Sequence, residues 1–165
     1  MNSSNRSRRR RNLAAGILLG LGAVAFLDEV VFHQLLHWHH FYDKSTSDVG
    51  LVSDGVFHAF SWFATVAAAM LLVGLARDGG FSRLTFAAGW LTGAGFFQLY
   101  DGLVQHKVMG LHQIRYGVDL TPYDLVWNIV AGVLLAAGIA LWVITARRVQ
   151  SSGDHTRPTG TAPSG

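Results

Sequence analysis

Several residue types are scarce in this chain of 165 residues, and each scarcity excludes a class of protein. Cysteine is absent, which excludes disulfides, thiolate metal sites and a cysteine nucleophile. Only 14% of the residues are charged and three are proline, whereas 50% are hydrophobic and 19 are glycine. Membrane helices are mostly apolar and tolerate glycine. The composition is therefore typical of an integral membrane protein with one domain.

Four apolar runs are each long enough to cross about 30 Å of hydrocarbon as a helix. They cover Asn12–Leu36, Asp54–Ala76, Leu84–Gln105 and Tyr123–Ala146. We predict an all-α fold, a bundle of four transmembrane helices that occupies residues 12–148. The polar ends, residues 1–11 and 149–165, are predicted to be disordered in the cytoplasm, the first because it is basic and the second because it is rich in Ser, Gly, Thr and Pro.

The positive charges are unevenly distributed along the chain. A net charge of +3 could indicate a nucleic-acid partner, but ten of the 13 Lys and Arg residues flank one set of helix ends. The other two loops carry Lys44, Lys107 and Arg115. This is the positive-inside pattern, and it predicts a multi-pass plasma-membrane protein with both termini cytoplasmic. The expected partner is the lipid bilayer, with no nucleic acid.

An internal repeat indicates how the four spans are related. Shifted by 73 residues, Asp28, His33 and His39 fall on Asp101, His106 and His112. At a shift of 70, Asp54 falls on Asp124, and His58 on Asn128. We predict a tandemly duplicated helical hairpin, with repeats at about 13–77 and 86–147. The basic start and the following apolar run also resemble a cleavable secretory signal. The first span matches the third, however, which favours a structural helix.

Ionisable side chains collect at the outer ends of these spans, where seven of the eight histidines lie. Such groups are expensive within a membrane and usually serve a function. Positions i and i+4 share a helix face, so Glu29, His33 and His37 form one stripe. Asp28 is turned about 100° away from it, towards a neighbouring helix. Imidazoles and carboxylates on rigid helices predict a pocket for Zn²⁺, Fe²⁺ or Cu²⁺.

The predicted site has two groups of residues. The predicted metal ligands are Glu29, His33, His37, His58 and His106. The residues expected to support them are Asp28, Asp54, Asp101, His112, Asp124, Asn128 and His39.

Other functions remain open on the sequence. A b-type haem could be held by His33 and His106 as axial ligands. A metal-dependent enzyme could act on a membrane-embedded substrate at an open coordination position. The same residues could instead lock helix packing or conduct protons. Catalytic residues and the oligomeric state are not identified by any motif.

Four segments carry a resemblance to a known family. They read G-x-x-x-G-x-G, D-E-V-V-F-H-Q-L-L-H-W-H-H, D-G-V-F-H-A-F-S-W and D-G-L-V-Q-H-K-V-M-G-L-H. Over about residues 13–147 the chain resembles the membrane-protein family termed domain of unknown function 2243. The resemblance implies a small bacterial inner-membrane protein with four spans and no established activity. It also implies a loose association with respiratory-oxidase assembly, which would fit metal handling. Lys107 departs from similar sequences, which carry a second His after His106, and this weakens the second half of the site.

Overall fold

The computed structural model describes residues 3–154 and contains helices but no strand within that range. The four α-helices are α1 (Ser3–Asp28), α2 (Ser47–Arg77), α3 (Arg83–Tyr100) and α4 (Thr121–Asp154). A π-helix directly continues α1 from Glu29 to Leu35, and another continues α3 from Asp101 to Met109. The predicted all-α fold with four helices is confirmed. The tandem duplication stays a prediction.

Three of the helices are long and apolar enough to cross a membrane. They cover Ser3–Leu35, Ser47–Arg77 and Thr121–Arg148. The remaining helix, α3, packs between α1 and α4 and contains polar Gln98 and Thr92 in its span. Large apolar side chains such as Val56 and Met70 on α2 and Val133 on α4 are exposed, as expected of surfaces that face lipid.

The amino-terminal turns differ from the prediction for residues 1–11, because α1 already begins at Ser3. Arginine is a good helix former, and the neighbouring loop gives these turns tertiary partners. Arg11 pairs with Asp78 at 2.7 Å, and the Asn12 side chain donates to the carbonyl of Gly80 at 2.8 Å. At the other end α4 stays helical to Asp154, and the rest of the predicted disordered tail, residues 155–165, lies outside the described residues.

The central contact of the fold is a glycine seam between α1 and α3. A Cβ atom on Gly16 would lie 2.2 Å from the carbonyl oxygen of Phe86, and one on Gly89 would lie 2.3 Å from that of Leu13. Backbones can approach this closely only where side chains are missing, which is the role of small-xxx-small pairs in membrane helices. The seam therefore fixes α1 against α3.

Each hairpin partner packs on the outside of this pair. Gly22 of α1 lies against Ser61 and Thr65 of α2, and Gly95 of α3 lies against Ala131 and Leu135 of α4. The helices are thus arranged in space in the order α2, α1, α3, α4. Within residues 3–154, α2 meets α3 through the stacked rings of Phe57 and Phe97, whose centroids lie 5.8 Å apart, while the backbones of the two helices stay apart. The two π-helices, which continue α1 and α3, consequently lie at the same end of the bundle.

The two long connections fold together over this end of the helices. The backbone N–H of Asp43 donates to the carbonyl of Leu111 at 3.1 Å, and Lys44 Nζ donates to the carbonyl of Met109 at 2.9 Å. These contacts join the loop after the first π-helix, residues 36–46, to the loop after the second, residues 110–120. Side chains from both loops are thereby brought above the π-helices.

Candidate metal centre

The π-helical turns determine which ionisable side chains meet. Hydrogen bonds in a π-helix run between i and i+5, so residues five apart share a face. Asp28 precedes His33 by five residues, and Asp101 precedes His106 by five. His33 Nε2 lies 3.9 Å from Asp28 Oδ2, and His106 Nε2 lies 3.1 Å from Asp101 Oδ2. The start of each π-helix therefore pairs a carboxylate with an imidazole.

A further imidazole from each loop completes two groups of three. The first triad is Asp28, His33 and His39, and the second triad is Asp101, His106 and His112. Within each triad, one potential ligand atom per residue lies within 4.8 Å of the others. All six residues are buried, with exposures between 1% and 6%. Both groups could hold a metal ion.

The loop histidines are held by backbone carbonyls from the opposite hairpin. His39 Nδ1 donates to the carbonyl of Ile114 at 3.0 Å, and His112 Nδ1 donates to that of Phe41 at 2.8 Å. A carbonyl only accepts, so both Nδ1 atoms carry the proton and both Nε2 atoms carry a lone pair. This arrangement is typical of metal-ligating histidine, whose second nitrogen is fixed by an outer hydrogen bond.

Charge also favours the neutral form of the first of these loop histidines. Burial, together with the neighbouring imidazoles of His112, His33 and His106, lowers the pKa of His39 to about 2. The ring is therefore neutral at physiological pH, and metal ions bind neutral imidazole.

The four imidazoles of the triads form one continuous row. The rings of His39 and His112 stack at 4.4 Å with an angle of 5° between their planes. His33 packs on His39 at 4.5 Å, and His106 packs on His112 at 4.7 Å. The stacked loop pair thus lies between the two π-helical histidines, and the two triads are direct neighbours.

Additional carboxylates support the first triad. His33 Nδ1 lies 2.9 Å from Asp54 Oδ1 and 3.2 Å from Glu29 Oε2, and these three residues form a further potential metal-binding group. Asp54 also accepts from His40 Nδ1 at 2.6 Å and from the backbone N–H of Phe41 at 2.7 Å. Since His33 Nδ1 donates to a carboxylate, its Nε2 is the nitrogen left to face Asp28, and this buried atom has no hydrogen-bond partner in residues 3–154.

The second triad lacks this support. In the second half Gly102 occupies the position equivalent to Glu29, and Asp124 Oδ2 forms a salt bridge with Lys107 Nζ at 2.5 Å. Over the described part of the chain, the buried Nδ1 of His106 is left without a hydrogen-bond partner, and so is the side-chain oxygen of Asn128. The two halves therefore share ligand geometry but differ in the groups that orient the ligands.

The predicted site residues divide clearly in the structure. His33 and His106 lie at the centre, with Glu29 beside His33. The residues expected only to support the site, Asp28, Asp101, His39 and His112, contribute potential ligand atoms themselves. Asp54 contacts His33, whereas Asp124 contacts Lys107 and Asn128 lies against Gly102.

The remaining two predicted ligands lie elsewhere. His37 and His58 are exposed, the former in a left-handed conformation (φ 50°) at the end of the π-helix and the latter against Phe26. The stripe of Glu29, His33 and His37 assumes an α-helix, whereas the helix is π-helical and ends at Leu35. Sequence reasoning missed His40, which holds Asp54. The repeated spacing D-x4-H-x5-H at 28–39 and 101–112 is the signal that identifies both triads.

Two apolar cavities flank the centre on opposite sides. One, of about 320 Å³, lies in the gap between α2 and α3 and is lined by aromatic rings and Gln105. The other, of about 460 Å³, lies beside α4 and includes Phe32 and Trp127. Phe57 lines the first cavity and also packs against the ring of His33 at 5.6 Å. The cavity wall is thus in direct contact with the first triad.

These features together define a helical membrane protein with buried clusters that could hold a metal ion. The sequence profile of the family described as predicted membrane proteins, domain of unknown function 2243, matches residues 15–145. The chain belongs to this family. Comparisons with curated proteins and with solved structures give no match.

Proposed function

We propose that this membrane protein binds a divalent transition metal through its buried Asp–His–His triads. One observation supports this most directly: the loop histidines His39 and His112 each hold Nδ1 on a carbonyl and turn Nε2 towards a buried carboxylate and imidazole, the Nε2 of His112 lying 3.0 Å from His106 Nε2. Buried imidazoles that only stabilised packing would be expected to satisfy both ring nitrogens. Here the Nε2 of His33 and the Nδ1 of His106 are buried, and each lacks a partner among residues 3–154.

The donor set restricts which metals fit. Two imidazoles with one carboxylate suit Zn²⁺ and Fe²⁺, and leave coordination positions open for water, substrate or a receiving protein. Cu²⁺ also binds imidazole well. Such a site can deliver a metal or use it, and metal handling is our first proposal. A role in respiratory-oxidase maturation, with oxidase assembly partners, is a prediction that depends on the family resemblance alone.

A b-type haem is disfavoured by the packing of the imidazoles. His39 and His112 stack at 4.4 Å between His33 and His106. A haem held by the latter two would need its macrocycle in the space that the stacked pair fills. An absorbance spectrum of the purified protein separates the two cases, because haem gives an intense Soret band and Zn²⁺ gives none.

Elemental analysis of the detergent-purified full-length protein tests the metal proposal. We expect stoichiometric transition metal in the wild type and its loss from the double variant His33→Ala with His106→Ala. Asp119→Asn is a matched control, because Asp119 is an exposed carboxylate on the same side that only caps Thr121, a role that Asn also fills. Wild-type protein that carries no metal after purification and reconstitution with Zn²⁺, Fe²⁺ or Cu²⁺ would refute the proposal.

A second candidate function is a metal-dependent enzyme that acts on a lipid-soluble substrate. The specific observation in its favour is the apolar cavity between α2 and α3, whose Phe57 touches His33. Narrowing this cavity with Val56→Trp would slow such an enzyme without changing its metal content. A pure metal carrier would release and take up metal at the wild-type rate in the same variant.

We also propose a bacterial plasma-membrane location with both termini in the cytoplasm. The support is the distribution of basic residues, which places the arginine-rich turns of α1 and the 78–82 connection on one side. The triads then lie in the extracytoplasmic half of the membrane domain. This location would give them access to metal outside the cytoplasm.

A further inference from the structure

We infer that the two triads form one two-metal centre that takes up its ions cooperatively. This inference rests on the proposed function, because it requires that the triads bind metal at all. It goes further by assigning the number of ions and by coupling their binding. Three independent features of the structure support it.

The first feature is the number of buried carboxyl groups. Four carboxylates, Asp28, Glu29, Asp54 and Asp101, are at most 4% exposed, whereas no Lys or Arg is buried among the described residues. Buried charges are costly unless they are compensated. Two divalent ions offset four carboxylates completely, and leave the imidazoles neutral with their lone pairs free for the metal. A single divalent ion would offset only two of the four.

The second feature is that both triads contain the same ligand types in the same order along the chain. Ring centroids of the π-helical and loop histidines are 4.5 Å apart in the first triad and 4.7 Å apart in the second. In each triad the carboxylate lies where an α-helix passes into a π-helix, the first imidazole follows five residues later in the π-helix, and the second imidazole comes from the following loop. The triads differ in that His106 Nε2 and His112 Nε2 lie within hydrogen-bonding distance, at 3.0 Å, but each triad offers the same three ligand types.

The third feature couples the two triads mechanically. His39 of the first triad is held by the carbonyl of Ile114, which lies two residues after His112 of the second. His112 is held in turn by the carbonyl of Phe41, two residues after His39. A metal that fixes His39 therefore also fixes the loop that presents His112, and the reverse holds. Occupation of one triad orders the loop that the other triad needs and so favours its occupation, and linkage makes the effect equal in both directions.

Titration of the metal-stripped full-length protein in detergent with Co²⁺ tests this inference. We expect two ions per chain and a binding curve steeper than that of independent sites, with a Hill coefficient above 1. Asp28→Asn and Asp101→Asn should each reduce the stoichiometry from two ions to one and remove the steepness. Asp119→Asn should retain both ions and the wild-type curve.

The possible outcomes separate the inference from the proposed function. One ion in the wild type, lost from both Asp variants, would indicate a single shared ion and overturn the inference while leaving metal binding intact. Two ions that bind independently would overturn the cooperativity. No ion in the wild type would overturn both. Gel filtration checks that the variants fold, and His106→Gln replaces Asp101→Asn if the latter does not.

Discussion

The glycine seam between α1 and α3 predicts a specific response to one added methyl group. In Gly16→Ala the new Cβ would lie 2.2 Å from the carbonyl oxygen of Phe86, about 1.2 Å short of the 3.4 Å at which ordinary contact begins. It would also lie 2.8 Å from the backbone nitrogen of Trp90. These neighbours are backbone atoms, so the clash is relieved only if the helices separate by roughly an ångström. Overpacking of this kind costs about 1–3 kcal/mol.

A matched control isolates the steric effect from helix propensity. Gly132 is also a helical glycine of the membrane domain, but a Cβ there meets nothing within 4 Å. Gly132→Ala should therefore stabilise the protein by about 0.5–1 kcal/mol, because alanine is the better helix former. In detergent, the melting temperature of Gly132→Ala should be higher than that of the wild type, and that of Gly16→Ala should be lower.

Gly16→Ala should also affect the metal centre. Because α1 carries the first π-helix and α3 the second, separating them widens the gap between the triads, and binding sites tolerate about 0.5 Å of misplacement. We expect Gly16→Ala to weaken metal binding while Gly132→Ala leaves it unchanged. A Gly16→Ala protein as stable as Gly132→Ala, with wild-type metal affinity, would refute the close helix contact and the role assigned to it.

Three further predictions follow from the site and its surroundings. Asp54→Asn should weaken metal binding by about 10–100-fold, because it removes charge from a carboxylate that accepts three hydrogen bonds beside the first triad; an isotherm equal to wild type would contradict this. His58→Ala should leave the metal content unchanged in elemental analysis, because His58 is exposed and belongs to neither triad. A lower metal content in this variant would show that His58 is a ligand after all. Since the chain has no cysteine, Ser45→Cys and Ser7→Cys introduce unique thiols: an impermeant maleimide should label the first in intact cells and the second only after lysis, and the reverse pattern would invert the topology.

Much of the fold follows from the sequence because apolar length is a strong signal. The four helices lie where the apolar runs predict them, and the basic residues cluster at one set of helix ends. The repeat also places Asp28, His33 and His39 opposite their counterparts 73 residues later. Composition gave no indication that residues 3–11 would extend α1, since their contacts to the 78–82 connection arise only after α1 and α2 pack.

The ligand set depends on geometry that periodicity does not reveal. An α-helical period of 3.6 residues groups Glu29, His33 and His37, whereas a π-helix groups Asp28 with His33. The loop carbonyl that fixes each loop histidine comes from the opposite hairpin, about 75 residues away, and no local pattern encodes that contact. The difference between the halves was visible in sequence at Gly102 and Lys107, but its effect on His106 Nδ1 required the structure.

The crossed bonds of His39 and His112 bear on whether half of the molecule could work alone. Each hairpin lends the other the carbonyl that orients its loop imidazole, so a solitary hairpin would have to find that acceptor in a second copy. A gene cut within the 78–82 connection should yield two fragments that are inert when expressed singly and that recover metal when produced together. The covalent link between the hairpins would then serve to keep unlike halves in a one-to-one ratio, which frees each half to diverge.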